Sequence, residues 1–561
     1  MSTGIWRRYA VHAAFILGVG LPLGAAAAQP AKADGEAGRK PVDVQICYGC
    51  HAPIKEFHAG SKHKNVNCVA CHDGTDKHLA DSKTRPVTRT DLAACGTCHK
   101  NQYESFQTMN WKKTARSEKS LLTGQSPNPS WDKLMMPHGF TKEHNLPRSH
   151  TFALLDQLLV DRSFGGRFGY KNGWQGLTAT GDLKLWDVIQ DNYPGQDHKP
   201  FKPGTAAAAN PVCLSCKTQD HILDWAYMGD PVPGAKWSRT SKVNEMAMSV
   251  SHSLNCFYCH DPHSAKPRVV RDGLIQALTR PEKDTLWHKD PKATKIDVKD
   301  LGVRGYTRKI ALLEKTDTKL MCGQCHVEYN CNPGIDPTNG QPITMADQRT
   351  NHFPLKSVWD ITKHYDDLKF RDFRHALTGA LLWKAQHPDV ETFWNSKHDK
   401  AGVSCNDCHM PKVTDPKTKK VYTSHWQTSP RNYLKETCLR CHTGWDETKA
   451  RYVIDSTSSH IQGKMRKAEF WLVQLVDKFG EAGTAGVDEA VLKDARRKHD
   501  EAHAHWEWWT AANGAAFHNT DQAKDSLNRS MVLSQEGIKI LDDAIKAKRT
   551  PPAKTTMVSP R

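Results

Sequence analysis

The chain has 561 residues, room for two to four ordinary domains, yet only 38% of them are hydrophobic. No segment beyond the N-terminus is long and apolar enough to span a bilayer, and so little apolar side-chain material cannot by itself fill the interior of a protein this large. A formal charge of +17 would suit an anionic polymer as partner, a reading that the cysteine pattern removes.

In chain order, Arg7 and Arg8 precede an apolar run from Tyr9 to Leu23, and Ala25 to Ala28 stand ahead of Gln29. Cations, a short apolar run and a small-residue cleavage site make a secretory signal. Residues 1–28 are therefore expected to be removed, leaving a soluble, exported chain in the periplasm. As a membrane anchor the run falls short of the roughly 20 residues that a spanning helix needs.

Of the 17 cysteines, sixteen form eight Cys-x-x-Cys pairs: Cys47/Cys50, Cys68/Cys71, Cys95/Cys98, Cys213/Cys216, Cys256/Cys259, Cys322/Cys325, Cys405/Cys408 and Cys438/Cys441. Seven are followed by histidine, namely His51, His72, His99, His260, His326, His409 and His442, and the CLSCK pair is followed by Lys217. Disulfides are possible in an exported protein, and paired Cys-x-x-Cys units can hold zinc, but Cys-x-x-Cys-His is the attachment signal of haem c. Two thiols three residues apart lie on one side of a helical turn, where both can form thioethers to one porphyrin while the next residue turns its imidazole under the iron.

Eight covalently attached haems c are expected, and their macrocycles supply the missing core. The fold class that follows is mainly α: a multihaem cytochrome c fold, haem-packed, with few strands and a long-helix C-terminal region. Haem propionates add about −16 and ferric porphyrin cores about +8, so the mature protein is only mildly basic and no nucleic-acid partner is implied.

Three motifs lie between 47 and 99, five between 213 and 442, and none beyond. The expected organisation is a signal peptide at 1–28, an N-terminal three-haem region at 29–150, a five-haem region at 151–455 containing the lysine motif, a long-helix region at 456–548 and a disordered tail at 549–561. SKHKNVNCVACH, from Ser61, parallels SKHDKAGVSCNDCH, from Ser396. The repeat makes His63 and His398 candidates for the second axial ligand of a neighbouring haem, since low-spin, electron-carrying iron takes two strong ligands. With seven histidines in motifs and His12 in the signal, 22 of the 30 remain to supply seven distal ligands.

From about Ser458 the pattern turns helical. Segments near 459–479 and 487–512 are expected to be separated by a turn containing Gly480, Gly483 and Gly486. Leu527, Met531, Ser534, Ile538, Leu541 and Ile545 form one further helical stripe, which ends at Thr550-Pro551-Pro552. Such a tail packs on its own core or builds a subunit interface.

Lysine binds iron only as the neutral amine, which requires desolvation and the metal's own charge. That is a poor arrangement for a simple electron carrier. The plainer readings are a tolerated substitution in a redundant haem, or a haem never attached.

CLSCK, CGQCHVEYN (Cys322 to Asn330) and KAQHP (Lys384 to Pro388) resemble the signatures of the ammonia-forming cytochrome c nitrite reductases. The three extra N-terminal motifs and the Tyr329-Asn330-Cys331 run are closer to the octahaem than to the pentahaem enzymes, and the wider resemblance extends to the octahaem hydroxylamine oxidoreductases. The resemblance implies six-electron reduction of nitrite to ammonium in a catalytic five-haem region, with hydroxylamine and sulfite as further substrates. It implies substrate at the open face of the Lys217-bound haem, flanked by Arg162, Tyr329 and His387, with Arg167 as the competing arginine.

It further implies a calcium ion held by Glu328, Tyr329, Lys384 and Gln386, oxygen donors that suit a hard cation, and a Tyr329–Cys331 thioether. For distal ligands it implies His150 to the Cys322 haem, His425 to the Cys256 haem, His518 to the Cys405 haem and His398 to the Cys438 haem. His63 is favoured for the N-terminal haems, with the others among His78, His138, His144, His221, His263 and His375. Expected partners are nitrite, small nitrogen and sulfur oxyanions or hydroxylamine, a small cytochrome or membrane quinol oxidase as electron donor, and further copies of the chain in a homo-oligomer.

Two other classes of function stay open. An octahaem hydroxylamine oxidoreductase attaches its reacting haem through a histidine motif, from which CLSCK departs, and an octahaem tetrathionate reductase matches EYNC and KAQHP less well. A non-enzymatic multihaem conductor would contain no haem with an exchangeable ligand.

Overall fold

The computed structural model describes residues 40–108, 129–136, 149–154, 210–250, 252–301, 305–330 and 332–550. The signal peptide, His138, His144, Arg162, Arg167, Cys331 and the tail after residue 550 lie outside the described residues.

Helix dominates. Among the described residues, strands are limited to two-stranded antiparallel pairs and one antiparallel three-stranded sheet, made of β1 (Arg268–Val269), β2 (Ile296–Asp300) and β3 (Lys309–Leu313) with β3 in the centre. The fold is thus the expected mainly α, multihaem type with few strands. The first and third N-terminal motifs lie at or between short helices, Val44–Cys50 and Ala52–His58 for one, Leu92–Gly96 and Lys100–Phe106 for the other, and the second starts in a 3-10 turn at Cys68–Ala70. Few side chains there are buried, and Phe57 finds its apolar partners on the sheet, at Ile310 and Leu312.

A larger apolar cluster runs through the middle of the chain, from Phe152 and Val212 through Ile275 and Leu313 to Val390 and Trp394. A second joins the middle of the chain to three long helices, α1 (Glu447–Thr484), α2 (Glu489–Ala511) and α3 (Thr520–Arg549). At 38 residues, α1 is about 57 Å long.

α1 begins at Glu447, well before Ser458. The polar stretch 447–457 shows little periodicity, but the Asp446 carboxylate accepts the Lys449 N–H at 2.7 Å and caps the helix there. Gly480 and Gly483, expected in the turn, lie inside the helix, and the turn falls on Gly486, whose φ of +65° suits glycine. α3 carries the expected stripe: Leu527, Ser534, Leu541 and Ile545 are buried, and it packs against both α1 and α2. Burying each such leucine contributes roughly 1.5–3 kcal/mol. Among the described residues no helix is long and apolar enough to cross a membrane.

Candidate haem cavity and active site

Six of the histidine-ended motifs occupy a tight helical turn, and in the seventh a 3-10 turn at Cys68–Ala70 leads into a strand at His72. The N–H groups of His51, His99, His260, His326 and His442 donate to the carbonyl of the first cysteine of their own motif at 2.8–2.9 Å. That bond closes one α-turn and sets both thiols on one side. In the lysine motif the turn is tighter, with Lys217 N–H donating to Leu214 at 2.9 Å.

The seven histidine-ended motifs line one continuous cavity of about 2600 Å³. Drug-sized ligands occupy roughly 300–1,000 Å³, so this space suits several large planar groups. Every motif histidine faces a second imidazole across it. The ring-centre separations are 6.0 Å for His51 and His78, 6.2 Å for His72 and His263, and 6.2 Å for His99 and His63. They are 6.5 Å for His260 and His425, 6.0 Å for His326 and His150, 6.4 Å for His409 and His518, and 6.4 Å for His442 and His398.

Two metal–nitrogen bonds of about 2 Å, with each ring centre a further ångström behind its nitrogen, span a similar distance. Burial favours the neutral ring that ligation requires at three of them: His260, His263 and His518 are pulled down to about 4. Backbone carbonyls hold the far nitrogens of four rings: Pro262 for His63 at 2.7 Å, Thr84 for His78 at 2.8 Å, and Thr428 for His409 and Thr423 for His425 at 2.9 Å. Such anchors aim the other nitrogen into the cavity.

Of the histidines left open by the sequence, His78 and His263 take part in these pairs. His221 packs edge-on against Trp225, and His375 against His499 with its Nε2 3.0 Å from the Lys133 carbonyl.

Neighbouring motifs lie close enough for their side chains to interact, which orders them. Cys68 adjoins Cys47, Cys71 adjoins Cys95, and His260 adjoins His99. Cys322 adjoins both Cys259 and Cys405, Cys325 adjoins Cys216, and Cys408 adjoins Cys438. The order is therefore 47, 68, 95, 256, 322, with one branch to the lysine motif and another through 405 to 438.

Cys213 and Cys216 are buried in the central apolar cluster, beside Tyr329 and Phe353, whose rings stack at 5.3 Å. His387 lies 6.5 Å from His326, ring centre to ring centre. The structure therefore gathers Tyr329 and His387 around the junction of the Cys213 and Cys322 motifs, while Arg162 and Cys331 fall outside the described residues.

The sequence reading missed Arg271. Its buried guanidinium lies 5.6 Å from the Tyr329 ring and hydrogen-bonds the Ser215 hydroxyl, while Nε and Nη2 have no protein partner. Two orphaned donors beside Cys216 fit an anionic group such as a haem propionate. Only its place beside Cys216, set by tertiary packing, distinguishes it from the chain's other arginines.

Glu328, Tyr329, Lys384 and Gln386 also meet. The Glu328 carboxylate accepts from Gln386 N–H at 2.7 Å and from the Tyr365 hydroxyl at 3.1 Å. Burial holds the Glu328 and Glu391 carboxyls well above the usual range, and each raises the other or is raised by a neighbouring acid. Glu391 Oε2 and Asp372 Oδ1 lack partners, as does the amide nitrogen of Gln386. The two buried, poorly compensated carboxylate oxygens fit a hard cation.

Among known proteins, the family model of cytochrome c552 matches residues 187–558, and that of cytochrome c554 and c-prime matches residues 94–145. Cytochrome c-552 of Haemophilus influenzae is 28% identical over 471 residues, covering 78% of this chain and 73% of that protein. Cytochrome c nitrite reductase subunit NrfA of Nitratidesulfovibrio vulgaris is 27% identical over 438 residues, covering 74% and 69%. The solved cytochrome c nitrite reductase of Desulfovibrio desulfuricans, described with two calcium sites, superposes with a TM-score of 0.56 at 23% identity over 82% of this chain and 89% of that one, a likeness of fold. Matched over most of its length, and carrying the repeated haem c attachment signals that such a cytochrome needs, the chain belongs to the cytochrome c552 family.

Proposed function

We propose that the protein is an exported octahaem cytochrome c that reduces nitrite to ammonium at a haem bound by Cys213, Cys216 and Lys217. The observation that carries this reading is the sevenfold histidine pairing: every histidine-ended motif has a partner imidazole 6.0–6.5 Å away, while the lysine-ended motif is gathered with Tyr329 and His387. In this reading His78, His263, His63, His425, His150, His518 and His398 are the distal ligands of the motifs at 47, 68, 95, 256, 322, 405 and 438.

Haem, when bound, supplies the electron path and the iron at which the substrate is reduced. The chain's own residues do the rest. Arg162 attracts the nitrite anion and donates to its oxygens. His387 holds a ring proton for a departing oxygen near neutral pH, and Tyr329 offers its Oη proton. Arg271 holds a propionate at the same centre. Glu328, with the oxygens of Tyr329, Lys384 and Gln386, would hold a calcium ion, whose charge would offset the buried carboxylate next to Tyr329. Nitrite takes up six electrons and eight protons and leaves as ammonium and two waters, which suits a terminus fed by a wire of low-spin centres.

The test is ammonium formation from nitrite by the haem-loaded protein with reduced viologen, in the native chain and in Lys217→His and Arg162→Ala. Native turnover that is strongly reduced in both variants is expected. Unchanged turnover in both variants would remove the catalytic assignment, and a native protein with no exchangeable high-spin haem would make it a conductor.

A further inference from the structure

Asp389 follows the KAQHP segment and is 6% exposed. Its Oδ2 accepts the His326 Nδ1–H at 2.9 Å and an Asn513 Nδ2–H at 3.0 Å, and its Oδ1 accepts the Gly514 N–H at 3.0 Å. Nδ1 of five other paired histidines faces a carbonyl or a hydroxyl: carbonyls for His63, His78, His409 and His425, and the Thr88 hydroxyl for His72 at 3.2 Å, while the His518 Nδ1 lies 3.4 Å from the Thr392 hydroxyl. His326, in contrast to these, donates to a carboxylate.

We propose that Asp389 is a positioning residue that lowers the reduction potential of the haem at Cys322/Cys325 by polarising His326. A carboxylate acceptor draws the Nδ1 proton toward itself and gives the ring imidazolate character, which stabilises ferric over ferrous iron. Reduction here adds one electron to iron and makes or breaks no bond, so the buried negative charge acts on the potential directly. The Asn513 and Gly514 donors hold the carboxylate in place and offset part of its charge; the formal charge remains. Lys217, Glu391, Cys405, His409 and His518 are ionisable groups near this pair, and the rings of His150 and His387 face His326.

The position matters because this motif adjoins those at 259, 405 and 216. A strongly reducing centre at that junction sends electrons onward to the lysine-bound haem. Asp389 also ties His326 to the 513–514 turn that leads to His518, so one carboxylate orients the proximal ligand of one haem and the loop bearing the distal ligand of the next.

The inference rests on the assignment of His326 as an axial ligand, and its test needs no substrate. Full-length, haem-loaded protein is titrated electrochemically under paramagnetic-resonance detection without nitrite, in the native chain, Asp389→Asn, Asp389→Glu and Asn513→Ala. In Asp389→Asn one low-spin centre should show a ferric-to-ferrous ratio at least about tenfold lower at a fixed potential, an upward move of about 59 mV for one electron. Asp389→Glu should restore most of it, and Asn513→Ala, which frees more charge on Asp389, should move the same centre the opposite way. Unchanged midpoints in both Asp389→Asn and Asn513→Ala, with haem present on the Cys322 peptide, overturn the inference alone. A haem-free Cys322/Cys325 peptide in the native protein overturns the ligand assignment beneath it. Absence of ammonium formation sinks the nitrite reading and leaves this test standing.

Discussion

Replacing Gly514 by alanine is expected to displace the distal imidazole of one haem without altering any ligand. Gly514 has φ −97° and ψ 10°, which alanine adopts without strain. Space is the obstacle: a Cβ there would lie 2.2 Å from Cε1 and 2.3 Å from Nε2 of His518. Ordinary contact starts near 3.4 Å, so the ring must retreat by about 1.2 Å. Imidazole–metal bonds are about 2.0–2.1 Å long, and a retreat of more than half that length breaks one. The turn cannot back away freely, because Gly514 N–H is held by Asp389 at 3.0 Å. Accommodating the methyl by distortion instead would cost about 1–3 kcal/mol.

The assay is the high-spin haem content by paramagnetic resonance, with haem loading checked by mass. One high-spin centre is expected in the native protein, at Lys217, and two in Gly514→Ala. The Cys405 haem lies on the branch away from the N-terminal motifs, so turnover fed from the N-terminal end should survive. A fully loaded variant with native spin content would refute the pairing of His518 with His409.

Glu328→Gln removes the one carboxylate among the expected calcium ligands and should weaken calcium binding about tenfold or more in calorimetric titration. A native Tyr329–Cys331 thioether makes the peptide spanning 329–331 lighter by two hydrogens, and mass analysis showing two unmodified side chains would sink it. His375 and His505 are held neutral, each pulled from 6.5 down to about 4 by burial. The unfolded chain takes up these protons first, so stability present above pH 6.5 is lost as the pH falls toward 4, by up to about 3 kcal/mol per histidine; His505→Gln should flatten the pH dependence of denaturant midpoints. Leu527→Ala, fully buried between the long helices, should cost about 2–5 kcal/mol in denaturant unfolding.

The haem c attachment signal is readable in the sequence because it is local: both thiols and the proposed first axial ligand fall within five residues. The proposed second ligands were suggested only by repeats and resemblance. His263 meets His72, and His78 meets His51, across folds of the chain that no local pattern encodes. The three long helices were readable as periodic stripes, but the start of α1 depended on the Asp446 cap, and Gly480 and Gly483 stayed helical because packing overrode their turn preference. Arg271 and Asp389 carry no motif at all. Their roles arise from tertiary contacts with Ser215, Tyr329, His326 and Gly514.

The distribution of buried side chains also bears on maturation. Residues 40–108 bury few apolar groups of their own, whereas α1, α2 and α3 share an extensive core with the middle of the chain. In the proposed reading the segment that would receive the first three haems is made first, and the helices that build much of the apolar core come last. The early segment is then expected to stay unfolded and open to haem attachment until its porphyrins arrive. Limited proteolysis of haem-free chain should cleave within 40–108 and spare 447–550; equal resistance of both would show that the N-terminal segment folds before it is loaded.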